Sequence, residues 1–255
     1  MSPIRPRALL LVPRLTPALL LLLLWGALGS CELENPQVGL TTDDLITLSL
    51  SDSVLLADGV SVLTLTATLG PAASANQEVT FATEAGRFER AEGDGSTLSL
   101  RTSGRSVQAV LVSGTEVAPR VNVSASVSGT EANEPFVYTA TRVVSFARAL
   151  PDEARLTLGQ RSLTALPERS TSLTVQLLRA QGRVSGGTRV FFAAAPAPGD
   201  SVRVVVEPFA FADTDQVSTT VTNLDTIPGT ALLRAWVLAP EGDTAVQAQV
   251  ALPVE

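Results

Sequence analysis

Leu63-Thr64-Leu65-Thr66-Ala67-Thr68-Leu69 alternates apolar and hydroxyl side chains over seven residues without a break. Successive side chains of a strand point to opposite faces, so a strict period of two buries one face and wets the other. The same residues in a helix would scatter leucine and threonine around the circumference. The stretch therefore predicts a half-buried β-strand. Ile46-Thr47-Leu48-Ser49-Leu50 and Val121-Asn122-Val123-Ser124-Ala125-Ser126-Val127 share the pattern. Between such runs lie Ala57-Asp58-Gly59, Gly70-Pro71, Glu92-Gly93-Asp94-Gly95, Ser103-Gly104 and Ser128-Gly129, which carry turn chemistry. Many short strands at this spacing predict an all-β chain folded as antiparallel sandwiches.

The pattern also repeats, at an offset of about 110 residues. Ile46-Thr47-Leu48 falls on Leu156-Thr157-Leu158, Leu56-Ala57-Asp58 on Leu166-Pro167-Glu168, and Leu63-Thr64-Leu65 on Leu173-Thr174-Val175. Val79-Thr80-Phe81 meets Val190-Phe191-Phe192 at 111, one residue having entered the preceding loop. At 110 again, Val107 meets Val217 and Leu111 meets Val221, while Val121, Val123, Ala125 and Val127 meet Ala231, Leu233, Ala235 and Val237. A one-residue slip would turn every side chain to the wrong face. Agreement of inward positions over several strands therefore predicts two copies of one sandwich, over residues 43–146 and 152–255, joined near Phe146 to Asp152.

The first copy carries a further signature. Asp58-Gly59 leads into the Leu63 to Leu69 alternation, followed by Asn76-Gln77-Glu78-Val79-Thr80-Phe81 and then Gly86-Arg87-Phe88. From about Ile46 to Ala140 this order resembles the bacterial Ig-like group 1 domains of the invasin and intimin family. Their pattern runs from a D/N-G turn through a T-L-T-A-T strand and a V-T-F strand to G-x-L/F. The second copy has no matching Gly-x-Phe and rests on the internal repeat. Gly104-Arg105-Ser106-Val107-Gln108-Ala109 only loosely echoes the family's late Gly-Ala-Val-like strand. The resemblance implies two tandem immunoglobulin-like antiparallel sandwiches, projecting from a bacterial envelope, often in adhesion. It implies no catalytic residues.

The first thirty residues are of another kind. Arg5, Arg7 and Arg14 precede an uncharged run of 14 residues from Leu15 to Leu28. Positive residues, a short apolar core and then small residues make the layout of an export signal over 1–30. The run falls short of the ~20 residues needed to cross a hydrocarbon core, and Pro13 interrupts any longer helix. Leu28-Gly29-Ser30-Cys31 resembles the lipobox of bacterial lipoprotein precursors. That resemblance implies cleavage before Cys31, a diacylglycerol thioether on its sulfur and an acyl group on the new amine. The alternative is an ordinary secretory signal beside an unmodified cysteine. Each buried CH₂ contributes roughly 0.8 kcal/mol and one chain holds only weakly, so two or three chains make a lasting anchor. Cys31 is the sole cysteine, and this covalent lipid is the only prosthetic group expected. Residues 31–42 then read as the lipidated cysteine and a polar tether bearing Pro36 and Gly39. Glu32, where inner-membrane retention in enteric bacteria uses aspartate, points toward the outer membrane, with the chain facing the periplasm or the cell surface.

Composition removes whole classes of chemistry. All 18 basic residues are arginines; three leave with residues 1–30, so 15 then face 25 acids for a net charge of −10. Nucleic acid, which needs clustered positive charge, is excluded as a partner. With no histidine and no lysine there is no Ser-His-Asp triad, Ser-Lys pair or Schiff base, nor a His/Cys zinc site. Nothing in the sequence selects a catalytic carboxylate pair, so the chain reads as a non-enzyme.

Residues 31–255 hold one tryptophan, Trp236. If Ala231, Leu233, Ala235 and Val237 face inward, then Leu232, Arg234, Trp236 and Leu238 face outward as a candidate binding face. A shift of one residue, or a covering neighbour, would instead bury the tryptophan. Phe81, Phe191 and Phe192 read as packing residues. Asp213 and Asp215, with Asp152 and Glu153, offer calcium only part of the six to eight oxygens it takes, and a polar loop is the expectation. The expected partners are the membrane through the lipid and a protein or glycan at the exposed face. The leading expectation is an anchored stalk or adhesion protein. A carbohydrate- or polymer-binding module and a periplasmic subunit of a larger assembly are the alternatives.

Overall fold

Leucine and threonine of the opening alternation divide as the period requires: Leu63, Leu65, Ala67 and Leu69 are buried, while Thr64, Thr66 and Thr68 are not. The structure is a computed structural model and describes residues 41–131, 134–213 and 215–255. Residues 1–40, on which the expected export signal, the Leu28-Gly29-Ser30-Cys31 motif and nearly all of the expected tether fall, lie outside the described residues.

A single-turn helix α1 (Thr42–Leu45) leads in, with the Asp44 carboxylate accepting from the Thr41 N–H at 2.9 Å. Nine strands follow: β1 (Ile46–Leu50), β2 (Val54–Leu56), β3 (Val62–Leu69), β4 (Glu78–Thr83), β5 (Arg87–Phe88), β6 (Thr97–Arg101), β7 (Ser106–Val112), β8 (Ala118–Glu131) and β9 (Glu134–Ala147). They form two sheets, in the orders β1-β3-β7-β5 and β2-β9-β8-β4-β6. Among the described residues of these nine strands, β2 and β9 pair in parallel and the other pairs are antiparallel. Eight more strands build the second body: β10 (Glu153–Leu158), β11 (Ser170–Leu178), β12 (Thr188–Pro196), β13 (Val204–Val206), β14 (Phe209–Ala212), β15 (Gln216–Asn223), β16 (Gly229–Leu238) and β17 (Thr244–Val254). Their sheets are β10-β11-β15-β13 and β14-β12-β16-β17. Each sheet pair encloses its own apolar core. The fold is two immunoglobulin-like sandwiches in tandem.

The repeat extends to strand pairing. Phe81 lies opposite Ala125 between β4 and β8, and its counterpart Phe192 lies opposite Ala235 between β12 and β16. On the other sheet the registers differ. Leu65 faces Ala109, but Val175 faces Val217, a slip of two residues. Leu48 faces Ala67, but Leu158 faces Leu173, a slip of four. Both slips are even, so inward residues stay inward although the pairing has moved.

The Gly-x-Phe motif of the first sandwich has a steric origin. Gly86 sits at φ +76°, and a Cβ there would lie 2.5 Å from the Val112 carbonyl oxygen. The turn delivers Phe88 into the core, its ring 6.1 Å from that of Phe81. The second sandwich lacks the motif and fills the corresponding sheet edge with β13, Val204-Val205-Val206.

The two sandwiches meet through backbone and buried polar groups. Ser185 is fully buried; its hydroxyl donates to the Ala57 carbonyl at 2.8 Å and accepts from the Ala149 N–H at 2.7 Å. The N–H groups of Arg183 and Gly186 donate to the carbonyls of Asp58 and Thr115 at 2.8 and 2.9 Å. Asp58 is buried, and burial raises its carboxyl pKa. Donors from the Val60 and Ser61 N–H groups and the Ser61 and Ser113 hydroxyls outweigh that and hold it below the usual value. The Arg179 guanidinium stands 4.0 Å away. Of these contacts the Ser185 bonds are buried, whereas Arg183 is exposed and Gly186 and Thr115 are half-buried.

Candidate functional site

In β12, Val190 and Phe192 point into the core, so Arg189 and Phe191 point out. Phe192 is 4 % exposed and Phe81 fully buried, whereas Phe191 stands half-buried on the outer face. The packing expectation thus holds for two of the three phenylalanines and is corrected for Phe191. Adjacent residues of one strand cannot both face the core. In β16 the expected division is present: Ala231, Leu233, Ala235 and Val237 are buried, Arg234 is exposed, and Leu232, Trp236 and Leu238 are half-buried on the outer side.

Sheet pairing then assembles what the sequence leaves apart. Phe191 lies opposite Phe209 of β14 on one side and Trp236 of β16 on the other. The Phe191 and Trp236 rings are 5.7 Å apart and within 16° of parallel, and the Phe191 and Phe209 rings are 6.5 Å apart. Phe211, one pleat further along β14, stands edge-on to Phe209 at 5.8 Å. Arg189 lies opposite Phe211, its guanidinium carbon 5.0, 5.1 and 5.8 Å from the rings of Phe209, Phe211 and Phe191. Arg234 covers Trp236 at 5.5 Å and donates to the Gln247 side chain of β17. Guanidinium groups against aromatic faces keep their in-plane N–H donors free for a carboxylate or phosphate.

Beside the rings lies a solvent-open cleft of about 330 Å³, lined by Arg148, Gly187, Thr188, Arg189, Phe191, Phe211, Val237 and Leu238. Arg148 is fixed there by the Gly187 carbonyl and the Thr188 hydroxyl, each at 3.4 Å. Among the described residues that line the cleft there is no carboxylate. Among the described residues the ion pairs are Arg155–Glu153 and Arg179–Asp58, so none of the three arginines of this face is paired.

The first sandwich provides the same positions with different chemistry. Thr80 lies opposite Ser99 and Ser126 with the pairing that Phe191 has with Phe209 and Trp236. Glu78 stands where Arg189 stands, and Arg101 where Phe211 stands. The Thr80 and Ser99 hydroxyls hydrogen-bond at 2.9 Å. One backbone therefore tolerates a hydroxyl face and an aromatic face alike.

The carboxylates considered for calcium are spread over separate tasks. Asp152 accepts from the Ala180 N–H at 2.7 Å, Asp215 from the Val184 N–H at 3.3 Å, and Glu153 pairs with Arg155 at 2.7 Å. Among the described residues, no three of His, Cys, Asp and Glu gather where they could hold a metal. Asp94 accepts from the Ser96 N–H and hydroxyl, the work of a turn residue, and its carboxyl pKa is lowered by them.

Three solved structures illustrate the likeness of this architecture to known proteins. Invasin, described as a bacterial integrin-binding protein, matches with a TM-score of 0.55 and 16 % identity, over 82 % of this chain and 39 % of that one. Its fold is shared. The adhesin InvE of Yersinia pseudotuberculosis matches at 0.47 and 17 % over 84 % of this chain and 60 % of its own. The D0-D1 domain of intimin matches at 0.30 and 21 % over 81 % and 96 %. The chain thus spans well under half of the invasin structure. The sequence matches no family model and no curated protein.

Phe191, Phe209, Phe211, Arg148 and Arg189 escaped the sequence reading of the site. Two signals were present. Phe191-Phe192 in an alternating strand requires one ring outside, and Phe209-Ala210-Phe211-Ala212 is itself a period-two run with its large residues on one side.

Proposed function

We propose that this chain is a lipid-anchored protein of a bacterial envelope, without catalysis, that makes adhesive or interaction contacts through the outer face of its second sandwich. The first sandwich then acts as a spacer, and the buried joint at Ser185 and Asp58 transmits orientation rather than absorbing it. Support for the anchor is the Leu28-Gly29-Ser30-Cys31 motif after a short apolar run. Support for the contact role is one observation: at matched positions of a duplicated fold, one copy carries Thr80, Ser99 and Ser126 while the other carries Phe191, Phe209 and Trp236. Aromatic residues and arginine are the residues that anchor interfaces.

Radioactive palmitate distinguishes the anchor. Label should enter the wild-type chain and be absent from Cys31→Ala; equal label in both removes the lipid. Protease treatment of intact cells reads the topology. Digestion without permeabilisation supports an adhesive role at the surface, whereas protection until the outer membrane is opened makes the protein a periplasmic subunit.

A further inference from the structure

We propose that the cleft and ring row of the second sandwich bind an acidic saccharide: a carboxylate-bearing sugar unit of a polymer in which such units are spaced by neutral ones. The proposal rests on the contact role given to this face above.

Size argues first. The ring row from Phe209 across Phe191 to Trp236 spans two inter-strand spacings, about 10 Å, and two rows of outward residues cover about 7 Å along the strands. That is a patch on the order of 100 Å², against roughly 800 Å² per partner for a stable protein interface. The cleft of about 330 Å³ lies at the small end of ligand sites. A sugar ring, open on the sheet so that a polymer can continue past it, suits these dimensions better than a folded partner does.

Chemistry argues second. The rings offer electron-rich faces to the C–H face of a sugar. Arg148 and Arg189 offer unpaired guanidinium groups at the same place, and a carboxylate is the planar anion that a guanidinium fork engages at two points. Gln247, opposite Trp236, extends the row with an amide able to meet hydroxyl groups.

Charge argues third. The mature chain carries −10 overall, so an anionic polymer has few other places to settle. Glu207 and Asp213, both exposed, lie just beyond the two ends of β14. They repel a continuous polyanion and tolerate an isolated charge that fits between them.

Titration of the mature, lipid-anchored protein with hyaluronate, in which glucuronate alternates with a neutral amino sugar, tests this through the fluorescence of Trp236, the one tryptophan of residues 31–255. Saturable binding is expected, weakened at least about tenfold (roughly 1.4 kcal/mol) by Arg189→Gln, by Phe211→Ser and by reduction of the polymer's carboxyl groups. Arg101→Gln, on the matching face of the first sandwich, should leave binding unchanged. Absence of binding to hyaluronate, tighter binding of an alginate polyuronate than of hyaluronate, or equal binding of carboxyl-reduced polymer overturns the assignment. Stronger binding of poly-glutamate than of any polysaccharide overturns it in favour of an acidic protein. Circular-dichroism melting of each variant confirms that it is folded. The contact role has its own readout. Adhesion of cells that falls with Phe191→Ser and Phe209→Ser while no saccharide binds keeps the contact face and rejects the sugar; adhesion equal to wild type rejects the face itself.

Discussion

The outer faces of the β4 and β12 sheets are built on one plan and made of opposite materials. At four matched positions the first sandwich places Glu78, Thr80, Ser99 and Ser126, and the second places Arg189, Phe191, Phe209 and Trp236. Beneath both, the inward partners stay apolar: Val79 and Phe81 in one, Val190 and Phe192 in the other, all buried. A duplicated fold thus separates what packing demands from what it merely permits. The core demands large apolar side chains. The outer face permits either kind, so rings there stand for something besides folding.

The sharpest way to break this comparison is to truncate a ring on each side of a sheet. Phe81→Ala should cost about 3–5 kcal/mol, since it opens a cavity in a core that cannot fully collapse. Phe191→Ala should cost far less, about 0.2–1 kcal/mol, the scale of one cross-strand pair. Urea unfolding curves of the two variants measure the difference. Equal losses would mean that the outer rings are structural after all.

The same contrast explains how far the sequence could be read. Period two placed every inward residue of β16, because alternation depends only on neighbours along one strand. The Gly86-Arg87-Phe88 turn was legible only through its resemblance to a family pattern, since part of what forces its glycine, the Val112 carbonyl at the end of β7, is far away in sequence. The ring cluster was only partly legible. Trp236 could be turned outward, but its stacking on Phe191 and the gathering of Phe209, Phe211 and Arg189 need the order β14-β12-β16, a long-range property that alternation does not encode. Register was likewise hidden. Slips of two and four residues between the copies preserve every face, so no hydrophobic pattern can reveal them.

The joint provides a second, smaller break. Its first-sandwich half is the Ala57-Asp58-Gly59 turn, whereas the matched turn of the second, Leu166-Pro167-Glu168, is held by Asn223, whose carbonyl accepts from the Glu168 N–H and whose amide donates to the Leu166 carbonyl. Asp58→Ala would strand the Val60 and Ser61 N–H groups and the Ser113 hydroxyl, at a cost of about 1–3 kcal/mol for a buried polar group left without its partner. Acid should act in the same direction. Asp58 is held below its usual value near 3.8, so its stabilising contribution is present above that pH. It is lost as pH falls further, through the lower folded-state value. Thermal melts between pH 5 and about pH 2 should therefore show a steeper acid loss in the wild type than in Asp58→Ala. Parallel slopes would remove Asp58 from the joint's energetics.

The smallest effect is the most telling. Grafting the second face onto the first, by Glu78→Arg, Thr80→Phe, Ser99→Phe and Ser126→Trp, removes the 2.9 Å Thr80–Ser99 hydrogen bond and adds three rings where solvent now lies. Surface substitutions away from special features usually change stability by no more than about 0.5 kcal/mol each. A new aromatic cross-strand pair returns roughly 0.2–1 kcal/mol. The graft should thus melt close to the wild type. Because these positions share strand pairing with Arg189, Phe191, Phe209 and Trp236, it should also gain whatever contact the second sandwich makes through its rings and Arg189. A graft that unfolds would show that hydroxyls serve the first sandwich's fold. A graft that folds but gains nothing would shift the weight of recognition to Phe211 and Arg148, which line the cleft and have no counterpart among the four exchanged positions.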